Sequence, residues 1–215
     1  MTMMMAFSPG HGGMAAEEPI ALPEPRIQGE VSLEAVLAAR RSVRRFSASP
    51  VTLAEVGQLL WAAQGITSPN GFRTAPSAGA LYPLEVHVIA GDVEGLPSGI
   101  YRYQPVGHDL MRRIEGDHRR ALEDAALSQA AIGEAPVVLA IAAVESRTRG
   151  KYGRRASRYV RFEVGHAAQN VLLQAEALNL DAVVVGAFRD AAVDRVLRLS
   201  HGEVPLYLIA VGRPR

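Results

Sequence analysis

The chain has no cysteine and a single lysine, Lys151, among its 215 residues. Without cysteine, disulfides, thiolate metal sites, iron–sulfur ligation and cysteine nucleophiles are excluded together. An excess of either charge is also missing: 23 basic residues face 22 acidic ones. No long-range field therefore favours nucleic acid or an anionic membrane, and any basic patch must be local. No segment approaches the roughly 20 consecutive apolar residues needed to span a bilayer. Met1 to Gly13 lacks the basic start and continuous apolar stretch of a signal peptide, so a soluble, cytoplasmic protein is expected. Neither G-x-G-x-x-G nor G-x-x-x-x-G-K-[ST] occurs, which removes the two standard phosphate loops. The absence of a G-x-S-x-G elbow leaves a hydrolase triad without support.

What is present is 48% hydrophobic residues in a length that buries one substantial core. The division expected is a loose arm over residues 1–29, where Gly, Pro, Glu and Met follow no period, and one domain over 30–215. Ser32 predicts an N-cap for a helix from Leu33 to about Arg40. Thr52 and Glu55 form a capping box that starts a second helix, ended by Gly65. Strands are expected at Leu84–Ala90, Gly99–Tyr103, Pro136–Val144, Asp181–Gly186 and Pro205–Gly212. Helices are expected at Asp117–Gln129 and Ala191–Leu199. Tyr159–Leu178 carries apolar and small residues at helical spacing in such number that most of its circumference should be buried. The mixture implies a sheet covered by helices.

Four segments could carry chemistry. Arg40-Arg41-Ser42-Val43-Arg44 sets guanidinium forks and a hydroxyl at a helix end, where they can grip a phosphate or a ring carbonyl. The same residues also serve as an ordinary basic helix terminus. Thr74 to Val86 is rich in small residues, and Gly79 with its neighbours lets backbone approach a flat ligand. Lys151 beside Tyr152 pairs an ammonium with a phenol, both tunable for proton transfer, in what otherwise reads as a basic surface loop. With Arg158, Arg161 and Tyr159 this stretch imitates a single-strand nucleic-acid platform, but the balanced charge argues against nucleic acid and for a charged lid over an anionic substrate. Glu163-Val164-Gly165-His166 has di-iron spacing without a second copy, so no metal is expected and both side chains read as buried, partnered groups.

Taken together these segments resemble the SagB/ThcOx-type branch of the flavin-dependent nitroreductase superfamily, over nearly everything from Leu22 to Gly212. The matches run in order: Arg40-Arg41-Ser42-Val43-Arg44, Leu59-Leu60-Trp61-Ala62-Ala63-Gln64-Gly65, Pro76-Ser77-Ala78-Gly79-Ala80-Leu81-Tyr82-Pro83-Leu84-Glu85, Lys151-Tyr152-Gly153, Glu163-Val164-Gly165-His166 and Gly186-Ala187-Phe188. The resemblance implies an α+β fold with a central, mostly antiparallel sheet flanked by helices, and a homodimer with FMN at its interface. It implies that Arg40, Arg41 and Ser42 hold the phosphate and ribityl, with Arg213 reaching back to the phosphate and Arg44 at the pyrimidine edge of the ring. Pro76, Ser77, Ala78 and Gly79 would line the flavin from the other subunit, Gln129 would stand near the ring, and Gly186 and Ala187 would lie beneath it. The activity implied is hydride and electron transfer between a donor such as NADH or NADPH and a small organic acceptor by a ping-pong cycle. The alternatives are an azoline dehydrogenase of modified peptides, with Lys151 and Tyr152 removing the proton, and a non-catalytic FMN-binding protein.

Overall fold

The computed structural model describes residues 18–215. In chain order the elements are β1 (Ile20–Ala21), α1 (Leu33–Ala39), β2 (Val51–Thr52), α2 (Leu53–Gln64), β3 (Leu84–Ala90), β4 (Val93–Glu94), β5 (Gly99–Gln104) and β6 (Asp109–Glu115). They continue with α3 (Arg119–Ala125), α4 (Ala130–Glu134), β7 (Val137–Val144), α5 (Ser146–Tyr152), α6 (Ala156–Ala177), β8 (Asp181–Val185), α7 (Asp190–Leu197) and β9 (Glu203–Gly212). Seven strands make one sheet in the order β1-β6-β5-β3-β7-β9-β8, antiparallel at every pairing. The short strands β2 and β4 pair separately, in parallel.

The sheet is covered on both faces, and β7 shows why its sequence is an unbroken apolar run. Val137, Leu139, Ile141 and Ala143 pack with α2 and α6, while the alternate Val138 and Ala140 pack with the layer containing α3, α4 and α7. A strand buried on both faces has no polar side to show. On the first face, the capping box holds as expected: the Thr52 N–H donates to Glu55 Oε2 at 2.8 Å and the Glu55 N–H donates to Thr52 Oγ1 at 3.2 Å. Gly65 ends α2 by turning to an extended conformation, where a Cβ would lie 2.2 Å from the Trp61 ring. Polar side chains then lock α2 to α6: Gln58 Nε2 donates to Gln174 at 3.1 Å, and Asn170 Nδ2 donates to the Ala62 carbonyl at 3.0 Å.

Several expectations change. The helix expected over 117–129 is two helices, α3 and α4, because Leu127 and Ser128 both take positive φ between them. Strand β6 was not anticipated from the sequence; its half-buried Arg112 and exposed Arg113 interrupt an apolar pattern that covers only one face. The arm is not loose throughout: Ile20 and Ala21 pair with Leu110 and Asp109, Leu22 is buried, and the Arg26 N–H donates to Gln58 at 2.8 Å. Its first 17 residues lie outside the described residues. The long helix buries one stripe rather than most of its circumference, leaving Phe162 56% exposed and His166 exposed as well. No helix among the described residues is long and apolar enough to cross a membrane.

Candidate functional site

Two groups of residues come together, at different places on the sheet. The first is built along β8. Helix α1 stops at Arg40, whose backbone leaves the helical region, and the chain then lies against the edge strand: Ser42 bridges Ala182 in parallel and the Val43 N–H donates to the Ala182 carbonyl at 3.1 Å. The basic segment is thereby fixed beside the start of β8. At the strand's other end, Gly186 and Ala187 follow Val185 directly, and Gln129 Nε2 donates to the Ala187 carbonyl at 2.8 Å. Four residues of extended chain separate Ala182 from Gly186, about 13 Å at the usual strand rise.

The guanidinium groups of this segment are not equivalent. Arg41 caps α1, donating to the carbonyls of Ala38 at 2.9 Å and Arg40 at 2.8 Å, which is the structural role open to any basic helix end. Arg40 and Arg44 have no carboxylate partner among the described residues; Arg44 makes only a 3.5 Å contact with the Ser42 carbonyl. Arg213 is engaged elsewhere: its two terminal nitrogens meet Glu55 at 2.8 and 3.0 Å, and its Nε donates to the Pro50 carbonyl. The tail still lies near the basic segment, since the Ser47 N–H donates to the Arg213 carbonyl.

The second group sits at the start of β3, three strands from β8, or about 14 Å at the usual strand spacing. Pro76-Ser77-Ala78-Gly79 forms a tight turn with Gly79 at φ +65°, a conformation costly for any other residue. Lys151 Nζ and Tyr152 Oη each lie 2.9 Å from where a Gly79 Cβ would stand, so the two atoms are within 5.8 Å of each other. The stretch read as a basic loop is helical: Lys151 and Tyr152 close α5, and one 3₁₀ turn, Gly153–Arg155, leads into α6. Its first turn forms because the Thr148 and Arg149 N–H groups both donate to the Glu145 carbonyl.

Glu163 is the member that sequence reasoning placed incompletely. It is buried, as expected, but its partner is this turn: Oε1 accepts from the Ala78 N–H at 2.9 Å, and the Ser77 hydroxyl donates to the same carboxyl group. The Ser77 oxygen in turn accepts from the Tyr82 N–H at 2.9 Å. Burial pushes the Glu163 carboxyl above its usual range, opposed by these hydrogen bonds and by His166. An acidic residue amid the apolar stripe of α6 was the available signal. Below the turn, Glu85 is gripped from two sides, by Arg102 at 2.8 Å and by Arg147, which also donates to the Tyr82 carbonyl at 3.0 Å. Beside them His87 Nε2 meets Glu203 at 3.1 Å, both buried. Burial pushes Glu203 up, but the His87 hydrogen bond and charge, with Arg102, leave it below its ordinary value. Arg73 stacks over the Tyr82 ring at 4.5 Å and donates to Gln64 at 2.8 Å. Its charge is disfavoured by burial.

Known proteins are similar to this chain over most of its length. A protein of Methanocaldococcus jannaschii named as a nitroreductase is 48% identical over 184 residues, 86% of this chain and 92% of its own length. The crystal structure of a protein of Ralstonia eutropha, also named as a nitroreductase, superposes with a TM-score of 0.80 at 30% identity, covering 93% of this chain and 91% of that one. The Escherichia coli microcin synthetase McbBCD complex, solved with truncated pro-MccB17 bound, contains a chain of the same fold, with a TM-score of 0.70 at 23% identity over 100% of this chain and 85% of that one. The description "Nitroreductase family" matches residues 37–213, from within α1 to the arginine after β9. An antiparallel sheet between two helical layers, carrying these matches across nearly the whole domain, places the chain in the nitroreductase family.

Proposed function

We propose that the chain is an FMN-dependent oxidoreductase whose flavin lies along β8. The observation that carries this reading is the pairing of an arginine-rich anchor at one end of the strand with a backbone turn at the other, about 13 Å away. That spacing suits an elongated ligand with a phosphate at one end and a flat ring at the other. Arg40 and Ser42 hold the phosphate and ribityl, since the Arg40 guanidinium has no carboxylate competing for it. Arg44 supplies positive charge at the pyrimidine edge, favouring an electron-rich ring. Gln129 keeps the Ala187 carbonyl in place beneath it. Arg41 and Arg213 join only by leaving the α1 carbonyls and Glu55. When bound, FMN would supply hydride and electron transfer between NADH or NADPH and a small organic acceptor in a ping-pong cycle.

The turn at Ser77 and the Lys151-Tyr152 pair face a flavin held by a second copy of the chain. Their separation from β8 by three strands supports that division, as do the exposed apolar side chains of Leu33 and Leu37 on α1 and Phe162 on α6. A second reading, in the SagB/ThcOx direction, rests on one observation: Lys151 Nζ and Tyr152 Oη converge on a single glycine. There they would take a proton from a substrate carbon, and a bound flavin would supply the hydride acceptor that azoline oxidation in peptides requires.

The test is direct. Purified protein takes up FMN and turns yellow; colourless protein that rejects FMN ends the proposal. Arg40→Ala and Arg44→Ala each remove a charge-assisted contact of about 1.5–3 kcal/mol and weaken FMN binding about ten- to a hundredfold. Bleaching by NADH or NADPH at a catalytic rate separates an enzyme from a passive flavin binder. Loss of azoline oxidation in Lys151→Ala with flavin retained selects the second reading. A monomer in sedimentation that still binds FMN tightly overturns the shared site.

A further inference from the structure

The near neutrality of the whole chain conceals a strong local asymmetry. Between Arg147 and Arg161 lie seven basic residues and no acidic one, leaving sixteen basic against twenty-two acidic residues in the remainder. Two of the seven are engaged: Arg147 with Glu85 and Arg149 with Glu145. Arg154, Arg155, Arg158 and Arg161 are exposed and have no carboxylate partner among the described residues. They follow, within ten positions, the lysine that packs on Gly79.

This arrangement is not explained by stability. Cations crowded over about two turns repel each other, and α6 opens without an acidic residue in its first turn, the reverse of what a helix start favours. Solubility does not explain it either, since both signs are interspersed elsewhere. Two copies of the patch repel, so its occupant carries the opposite charge.

We infer that Arg154, Arg155, Arg158 and Arg161 form the approach to the Lys151-Tyr152 site and select a substrate bearing more than one negative charge, through carboxylate or phosphate groups. The inference rests on the placement of Lys151 and Tyr152 at the reacting site. Guanidinium forks match both oxyanions in geometry, and clustered charge of one sign raises the encounter rate with its opposite. Two sources meet the description: the phosphates of the nicotinamide donor and carboxylates on the acceptor.

The double variant Arg154→Glu/Arg158→Glu tests it in the FMN-loaded full chain. In the first arm, anaerobic flavin bleaching is timed with NADPH and with NADH, which differ by one phosphate. In the second, protein reduced with dithionite is reoxidised by 5-nitroisophthalate, a dianion, and by neutral 4-nitrobenzyl alcohol. One of the two charge-selective ratios falls about tenfold or more in the variant, and the falling arm names the source. The parent protein loses the same preference as salt approaches 1 M, where screening confines charge–charge attraction to about 3 Å. Ratios that stay within twofold in both arms overturn the inference while leaving the flavin reading intact. Should the chain reject FMN, the proposed function fails by itself, and calorimetric binding of benzene-1,3,5-tricarboxylate and NADP⁺ still reads the patch. Equal affinity of both forms for both ligands then overturns it.

Discussion

Two sets of charged residues lie close together in this molecule and are built on opposite principles. Around Glu85, each charge is matched: Arg102 and Arg147 grip the carboxylate, and His87 meets Glu203. Glu85, His87 and Glu203 are all buried. A few residues beyond Arg147, four arginines stand in solvent without carboxylate partners. Buried charge must be paired because the interior does not screen it, whereas exposed charge can be left unspent for a ligand. Arg147 marks the division, since it joins the buried set and holds the Tyr82 carbonyl of the turn next to Lys151. The paired set is therefore expected to govern stability, and the unpaired set to govern substrate encounter.

Substitutions that exchange these roles break the comparison, and the largest effect belongs to Glu85→Ala. It leaves the half-buried Arg102 and Arg147 without their shared partner, at a cost of about 1.5–3 kcal/mol in denaturant unfolding. A change below 1 kcal/mol would show the cluster to be dispensable. Next comes acid. The Glu203 carboxyl is lowered in the folded state, so its contribution is complete above the ordinary value of 4.5 and is lost as pH falls through its folded value. Melting curves should drop on the acid side, and Glu203→Gln should flatten that drop; parallel acid limbs would remove Glu203 from the account. The smallest effect is expected at Arg158→Gln, which should shift stability by no more than about 0.5 kcal/mol in either direction. A larger loss would mean that this arginine has a structural partner after all.

Legibility followed the range of the interactions. The capping box at Thr52 and Glu55, the apolar run of β7 and the helical stripe of α6 depend on neighbours within a few positions or on a single period, and each formed close to where the sequence placed it. The break between α3 and α4 was missed because Leu127 and Ser128, neither of them the Gly or Asn that usually marks positive φ, both adopt it. Strand β6 was missed because only Leu110 and Ile114 of its residues are buried. In the candidate site, the glycine that admits Lys151 and Tyr152 was visible as a small residue in a turn. The grip of Glu163 on Ala78 was not, because 85 positions separate them.

By itself the sequence determined the inventory of this protein: no thiol chemistry, a doubly covered sheet, a basic segment at a helix end, a small-residue turn and one Lys-Tyr pair. These follow from composition and short-range periodicity, which act before the chain closes on itself. Tertiary structure decided which side chains remained free to act. Arg41 and Arg213 were equal to Arg40 as candidate phosphate ligands until α1 and Glu55 claimed them. Only folding brings donors and acceptors from distant positions into the same few ångströms.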